Sequence, residues 1–314
     1  MAQSLYIHPD YTAFLTTFMS LLIGTASWTD PTLLACGRFY PPELRDARAR
    51  LAFYASRFPL VEADSPYYGL PQATLTHAWA ERTPPGFVFN LKLFRLFSGH
   101  PTPPSALPAD LRHDLGWAPG DSRARFANQL PTAWRRELWR RYLQALEPLR
   151  AAGKLGLVHC QFAPWIERDA RGLRLLDECA AQLDELDASI EWRHPSWWRN
   201  PATRAATLDA LRERRLVHTV VDAPQGVAGS VPAVWAVTRD DIALLRLHGR
   251  NAAAWHSRAA ASSSRFQYEY SDAELAGLAA SIRALPATHT HVVLNTNYQD
   301  QGMQNAARLR QALG

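Results

Sequence analysis

"SIEWRHPSWW" (189–198) reads as a β-strand that loses its apolar character at its end, where Glu191, Arg193 and His194 are followed by Pro195, Trp197 and Trp198. The same change recurs along the chain. Short apolar runs that finish on polar residues stand at "LLIGTASW" (21–28), "LVEADSPYY" (60–68), "FVFNLKL" (87–93), "LGLVHCQF" (155–162), "LVHTVVDAP" (216–224), "IALLRLHGR" (242–250) and "HVVLNTNY" (291–298), which with 189–194 makes eight strands. Between most of them lie stretches with apolar residues three and four apart, at 43–57, 71–82, 132–151, 171–187, 201–214, 272–285 and 301–313. Leu138, Tyr142, Leu146 and Leu149 show that helical spacing. Strands and helices alternating over this length imply an α/β protein folded as a single (β/α)8 barrel of the TIM type. The first strand lacks the G-x-G-x-x-G turn that an open dinucleotide-binding sheet would want.

The 314 residues, 47% of them hydrophobic, suffice to bury one large core or two modest ones. Residues 95–130 interrupt the rhythm with five prolines among Gly, Ser and Asp, a long insertion after strand three that would lie over one end of the barrel. A second loop, 251–270, follows strand seven. Residues 12–24, "TAFLTTFMSLLIG", have the apolar character of a signal-peptide core, but the first basic residue is Arg38 and the run is too short to span a bilayer as a helix. Its second half reads as the first strand, with residues 1–20 an extension before a domain at 21–314. Cys36, Cys160 and Cys179 are odd in number and have no metal or disulfide spacing, which suits a reducing cytoplasm and no membrane association.

The C-terminal strand ends of such a barrel, and the loops after them, build its site. Side chains two apart share a strand face, which groups Asn90 with Lys92, Glu191 with Arg193, Arg246 with His248 and Arg250, and Asn295 with Asn297; Glu62, Gln161 and Asp222 end three further strands. Pointed inward, these residues make a mouth with surplus positive charge, a cradle for the phosphate or carboxylate of an anionic small molecule. Lys92, Glu191, His248, Asp222 and Glu62 are the candidate catalytic residues, as general acids and bases. Lys92 stands out because only it and Lys154 are lysines among 34 basic residues. Lys154, in the turn "AAGKLG", reads as exposed.

The candidate ligand contacts are Arg193, Arg246, Arg250, Asn295 and Asn297, with Trp28, Tyr68 and Trp197 as aromatic walls around the mouth. Glu62, Glu191, Asp222 and His248 also form a donor set suited to a divalent metal, the one cofactor the sequence suggests. Two patterns read as structural. His289 and His291 open the eighth strand, at the opposite end of the barrel from the mouth. The arginines of "WRRELWRRY" (134–142) lie on a helix clothing the barrel, where Glu137 and Arg141 are spaced to pair.

Taken in order, these blocks resemble the DUF72, or YecE-like, family over nearly all of residues 21–313. "IGTASW", "FYP" (39–41), "YASRFPLVEADSPYYGLP" (54–71), "FVFNLKL", "EWRHPSW", "RLHGR", "YEYSDAEL" and "NTNY…NAARL" are similar to its successive segments. Asp64 stands where that pattern has Asn, Pro66 and Tyr67 depart within the same block, and Thr296 separates Asn295 from Asn297. The resemblance implies a TIM-type barrel and brings no reaction with it. Three readings of function follow: an enzyme, a hydrolase or isomerase, on a phosphorylated sugar or nucleotide-like anion; a nucleic-acid-binding or endonuclease-like barrel using the basic mouth; and a non-catalytic scaffold.

Overall fold

The computed structural model describes residues 20–118, 120–255 and 266–314; the expected N-terminal extension and the middle of the 251–270 loop lie outside them. Eight strands run in chain order: β1 Ser20–Ala26, β2 Leu60–Ala63, β3 Val88–Lys92, β4 Leu155–Gln161, β5 Ala188–Glu191, β6 Val217–Asp222, β7 Ile242–Leu247 and β8 His289–Leu294. Each pairs in parallel with the next, and β8 returns to β1 from Ser20↔His289 to Thr25↔Leu294, so the sheet closes. This is the TIM-type barrel expected from the alternation.

All eight strands stop short of their expected ends, and the reason is local chemistry. β2 was expected to reach residue 68, but Pro66 sits in the first turn of a short helix, Ser65–Tyr68, where its missing N–H is no loss. β5 ends at Glu191, and Pro195–Trp198 forms a tight turn whose Ser196 amide is held by His194 Nδ1 at 3.2 Å. β7 ends before Gly249, at φ 79°, where a Cβ would stand 2.4 Å from that of Tyr268. The polar residues of the strand ends therefore occupy the loops of the C-terminal face.

Helices at Ala47–Ala55, Ala73–Glu81, Thr132–Ala151, Ala170–Gln182, Pro201–Glu213, Asp272–Arg283 and Gln301–Leu313 surround the barrel. Asp46, Asp169, Asn200 and Ser271 each accept an amide of the first helical turn, which sets four of these starts. The longest, Thr132–Ala151, buries Leu138, Tyr142, Leu146 and Leu149. Between helices and strands lies the larger apolar core; inside the barrel a smaller cluster holds Leu60, Leu157, Val217, Leu244 and Val293. Gly156 makes room there for Asn90 and His291, since a Cβ would lie 2.5 Å from Asn90 Oδ1.

Lys154 corrects an expectation. It is buried, and Nζ donates to Ala80 O at 2.5 Å, Thr83 O at 2.6 Å and Thr83 Oγ1 at 3.1 Å. A cation there satisfies the carbonyls left open at the C-terminus of helix Ala73–Glu81 and meets the negative end of its dipole. The insertion after β3 is tied down by stacking of Phe97 on Trp139, centroids 3.8 Å apart, and by pairing of Thr102 with Arg125. Among the described residues no helix is long and apolar enough to cross a membrane.

Candidate functional site

Directly above the apolar interior, alternation on β2, β4, β5 and β7 brings Glu62, Gln161, Glu191 and Arg246 together. Arg246 donates Nε and Nη2 to Glu62 at 3.1 and 2.6 Å, and Nη1 to Glu191 at 2.6 Å and Gln161 at 3.2 Å. Glu62 and Glu191 are fully buried and Arg246 is 1% exposed. Burial is the largest single influence and pushes both carboxyls up, but Arg246 together with the neighbouring His159, Lys92 and His248 outweighs it and holds Glu62 below, and Glu191 well below, their ordinary range. Both remain anionic, and their oxygens are committed to the guanidinium between them.

Two histidines flank Glu191. His159 Nε2 stands 3.4 Å from Oε2 and His248 Nε2 3.4 Å from Oε1. The Asn295 carboxamide nitrogen lies 2.7 Å from His248 Nδ1 and can only donate, so the proton of the neutral ring sits on Nε2, facing Glu191. Burial pushes His248 down to about 4 despite that carboxylate, so the ring is neutral near pH 7.

Nearer the opening the cations are less engaged. Arg193 gives Nη1 to Glu191 at 2.8 Å and lies over the Trp255 ring at 5.6 Å; its Nε and Nη2 have no acceptor among the described residues. Among the described residues Lys92 meets only Asp64, at 3.8 Å, and the face of Tyr67, at 4.8 Å. Arg95 covers Tyr67 at 5.3 Å. Burial, followed by Lys92, Arg95 and Arg193, holds His100 down to about 3, which registers the convergence of positive charge on this side. Asp64 is displaced the other way. Burial raises its carboxyl, Lys92 only partly offsets that, and Oδ1 is buried without a hydrogen bond.

Asp222 belongs to a separate cluster on the far side. It accepts from Arg250 Nε at 3.0 and 3.1 Å, from Arg250 Nη2 at 2.8 Å and from the Tyr270 hydroxyl at 2.6 Å, while Tyr270 receives the Gly249 amide at 2.9 Å. This bidentate pair pins the loop after β7 to the end of β6. In the first group Lys92, Arg95, Arg193 and Arg246 face Glu62, Asp64 and Glu191, a surplus of one positive charge, whereas Arg250 faces both Asp222 and Glu274.

The aromatic residues divide. Trp197 is fully buried, stacked on Trp192 at 3.5 Å and donating Nε1 to Ile166 O at 2.8 Å, and Trp198 is 6% exposed. Trp28 is buried against Trp79 and Phe89. These three rings hold loops in place and present no open face, whereas Tyr68 is 61% exposed. Asn297 is partly buried, with Oδ1 unpartnered. Asn90 lies one layer below Lys92, accepting from Leu157 N at 2.9 Å and meeting His291 Nδ1 at 3.0 Å, so His291 is structural. In the arginine-rich helix, Arg140 and Arg141 both pair with Glu137, and Arg141 also with Asp110.

The metal donor set does not assemble. Among the described residues no three His, Cys, Asp or Glu side chains gather as metal ligands; Glu62 and Glu191 serve Arg246, and Asp222 serves Arg250. Sequence reasoning missed His159, Asp64, Arg95 and His100 as members of the site. Two of these carried a signal: His159 is two residues before Gln161 and Asp64 two after Glu62, the spacing that places neighbours on one face.

A family model described as "Protein of unknown function DUF72" matches residues 22–314. UPF0759 protein YunF of Bacillus subtilis (strain 168) is 28% identical over 235 residues, which cover 75% of this chain and 72% of that protein. Among solved structures, a DUF72 family protein of Enterococcus faecalis V583 aligns with TM-score 0.74 at 24% identity, covering 93% of this chain and 95% of that one. A DUF72 family protein of Thermotoga maritima MSB8 aligns with TM-score 0.69 at 23% identity, covering 94% and 99%. At these identities the two structures speak for the fold.

Proposed function

The chain belongs to the DUF72 family, whose name carries no activity, and we propose that its barrel mouth binds an anionic small molecule between Lys92 and Arg193. The observation that supports this reading is the division of labour among the cations. Arg246 and Arg250 are saturated by carboxylates, whereas Lys92 and Arg193 keep donors without acceptors among the described residues, on the side that carries the surplus charge. A phosphate or carboxylate would complete them.

In this reading the catalytic and binding residues have distinct roles. Glu62 and Glu191 fix Arg246 and, through Glu191, orient Arg193 and His248; Asp222 and Arg250 hold the loop after β7. The exposed Tyr68 offers a ring face for a sugar or base beside the anion. Asp64 is the group with the raised affinity for a proton, next to the anion contact, and so the acid for a hydrolysis or isomerisation.

Calorimetry with sugar phosphates, nucleoside monophosphates and inorganic phosphate tests this. Each charge-assisted hydrogen bond contributes about 1.5–3 kcal/mol, so Lys92→Met and Arg193→Met should each weaken the best ligand roughly 10- to 100-fold. Asp64→Asn should strengthen it. Wild-type affinity should decline as pH rises through the titration of Asp64, because deprotonation adds a negative charge beside the ligand. If no anion of the panel binds, or if both cation variants bind as wild type does, the reading is wrong.

A further inference from the structure

A cavity of about 420 Å3 lies outside the barrel where the insertion after β3 meets helices Thr132–Ala151 and Ala170–Gln182. Its floor is apolar, made by Leu96, Phe126, Ile166 and Leu175, and its rim carries Arg135, Arg171 and Arg174. Some other helical arginines find carboxylates, Arg140, Arg150, Arg212 and Arg214 within 2.8 Å, and Arg283 and Arg310 find backbone carbonyls. The three rim arginines make no ion pair among the described residues. Glu178, four residues after Arg174 and spaced to pair with it, instead accepts from Trp139 Nε1 at 3.4 Å. Arg135 gives Nη2 to Thr132 Oγ1 at 3.1 Å, and its Nε is buried with no acceptor.

We propose that this crevice is a binding site for an organic anion with an apolar, preferably aromatic, body and a phosphate, sulfonate or carboxylate head. The volume falls within the range of small-molecule sites, roughly 300–1,000 Å3. The head meets Arg171 and Arg174, which are exposed and free to turn toward it, and the Nε donor of Arg135. The body covers the apolar floor. Because solvent screens exposed guanidiniums, the charges alone hold a bare anion weakly, and selectivity for an anion with a hydrophobic body follows.

The crevice is distinct from the mouth. A wall of Tyr67, His100 and Trp165 separates them, with ring centroids 5.4 and 5.7 Å apart in succession, and Trp165 Nε1 donates to Gly99 O at 3.2 Å on the crevice side. The insertion therefore presents His100 to one site and Gly99 to the other.

1-Naphthyl phosphate is the probe, titrated by calorimetry at low salt beside 1-naphthol and inorganic phosphate. It should bind at least ten-fold tighter than either comparator. The double variant Arg171→Gln, Arg174→Gln should weaken it at least ten-fold, and Ala127→Phe, which fills the cavity and leaves its charges, should do the same. The same titrations are repeated in a Lys92→Met background, which weakens the mouth; binding that persists there and is lost on adding the double variant separates this site from the mouth. Arg171 and Arg174 are exposed, so the double variant should keep the wild-type unfolding midpoint and carries the test even where Ala127→Phe does not fold. Absence of binding, binding unaffected by the double variant, or binding lost only in Lys92→Met would each overturn the proposal.

Discussion

Replacing Arg246 by Met removes the cation that is hydrogen-bonded to Glu62 and takes from Glu191 its shortest contact. Four hydrogen bonds go at once, at 3.1, 2.6, 2.6 and 3.2 Å, and both carboxylates stay fully buried. Breaking a buried pair from one side costs about 3–5 kcal/mol, because the remaining charge is uncompensated. At roughly 2 °C per kcal/mol for a chain of this size, the unfolding midpoint should fall by about 6–10 °C. The pH dependence carries the sharper test. In the native protein both carboxyls are held low, so their contribution is present above the unfolded value, about 4.3 for Glu, and is lost as pH falls through the lower folded values. In Arg246→Met burial, the largest influence on both groups, is opposed by the weaker pull of Lys92 and His159 on Glu62 and of Arg193 and the two histidines on Glu191, so the carboxyls shift upward and take up protons as pH falls toward 5. The variant's deficit should therefore be largest near pH 7.5 and shrink toward pH 5. Adding Glu62→Gln and Glu191→Gln should recover most of the stability at pH 7.5. Urea unfolding followed by circular dichroism and tryptophan fluorescence reads all three variants. A loss below about 1 kcal/mol, or a deficit that does not change between pH 7.5 and 5, would refute the reasoning, since either means that the carboxylates are solvated or neutral.

Three further outcomes are expected. Lys154→Met leaves Ala80 O, Thr83 O and Thr83 Oγ1 without their donor and should cost about 1–3 kcal/mol in urea unfolding. Tyr270→Phe removes the hydroxyl that links Asp222 to the Gly249 amide; it should cost a similar roughly 1–3 kcal/mol and speed amide hydrogen exchange around Gly249. Asn90→Ala deprives the buried Leu157 amide of its acceptor, which should again cost about 1–3 kcal/mol without altering anion binding at the mouth, because Asn90 lies one layer below it.

The fold was legible because its signals repeat. Eight apolar runs separated by helical periodicity leave few alternatives to a closed barrel, and helix Thr132–Ala151 begins and ends where its pattern does. The strand ends were less legible. A strand buried on both faces and the first residues of the following loop can both be apolar, so "LVEADSPYY" gave no break at Ala63; the break comes from Pro66 starting a helix, a choice made by the loop. Lys154 misled for a related reason. A lysine beside a glycine in a turn is ordinarily exposed, and the carbonyls that bury this one end a helix about seventy residues earlier in the chain.

In the candidate site, alternation located nearly every charged group, and what it could not supply was who pairs with whom. Glu62, Glu191 and Arg246 were readable as inward-facing, but only closure of the barrel brings β2 and β5 within reach of one guanidinium on β7. That pairing reorders the roles. A carboxylate whose oxygens are spent on a buried arginine has little freedom to move a proton, whereas Asp64, beyond the end of β2 and paired only loosely with Lys92, keeps that freedom. The opening stretch "SIEWRHPSWW" divides along the same line: Glu191 anchors the interior, His194 and the two tryptophans fix the turn, and Arg193 alone keeps unsatisfied donors at the mouth. In the proposed reading, chemistry at this barrel runs through the partly engaged residues of the mouth, Lys92, Asp64 and Arg193. Variants there should alter ligand binding with little loss of stability, whereas variants of Glu62, Glu191 and Arg246 beneath should lower stability first and reach the ligand only through Glu191 and Arg193.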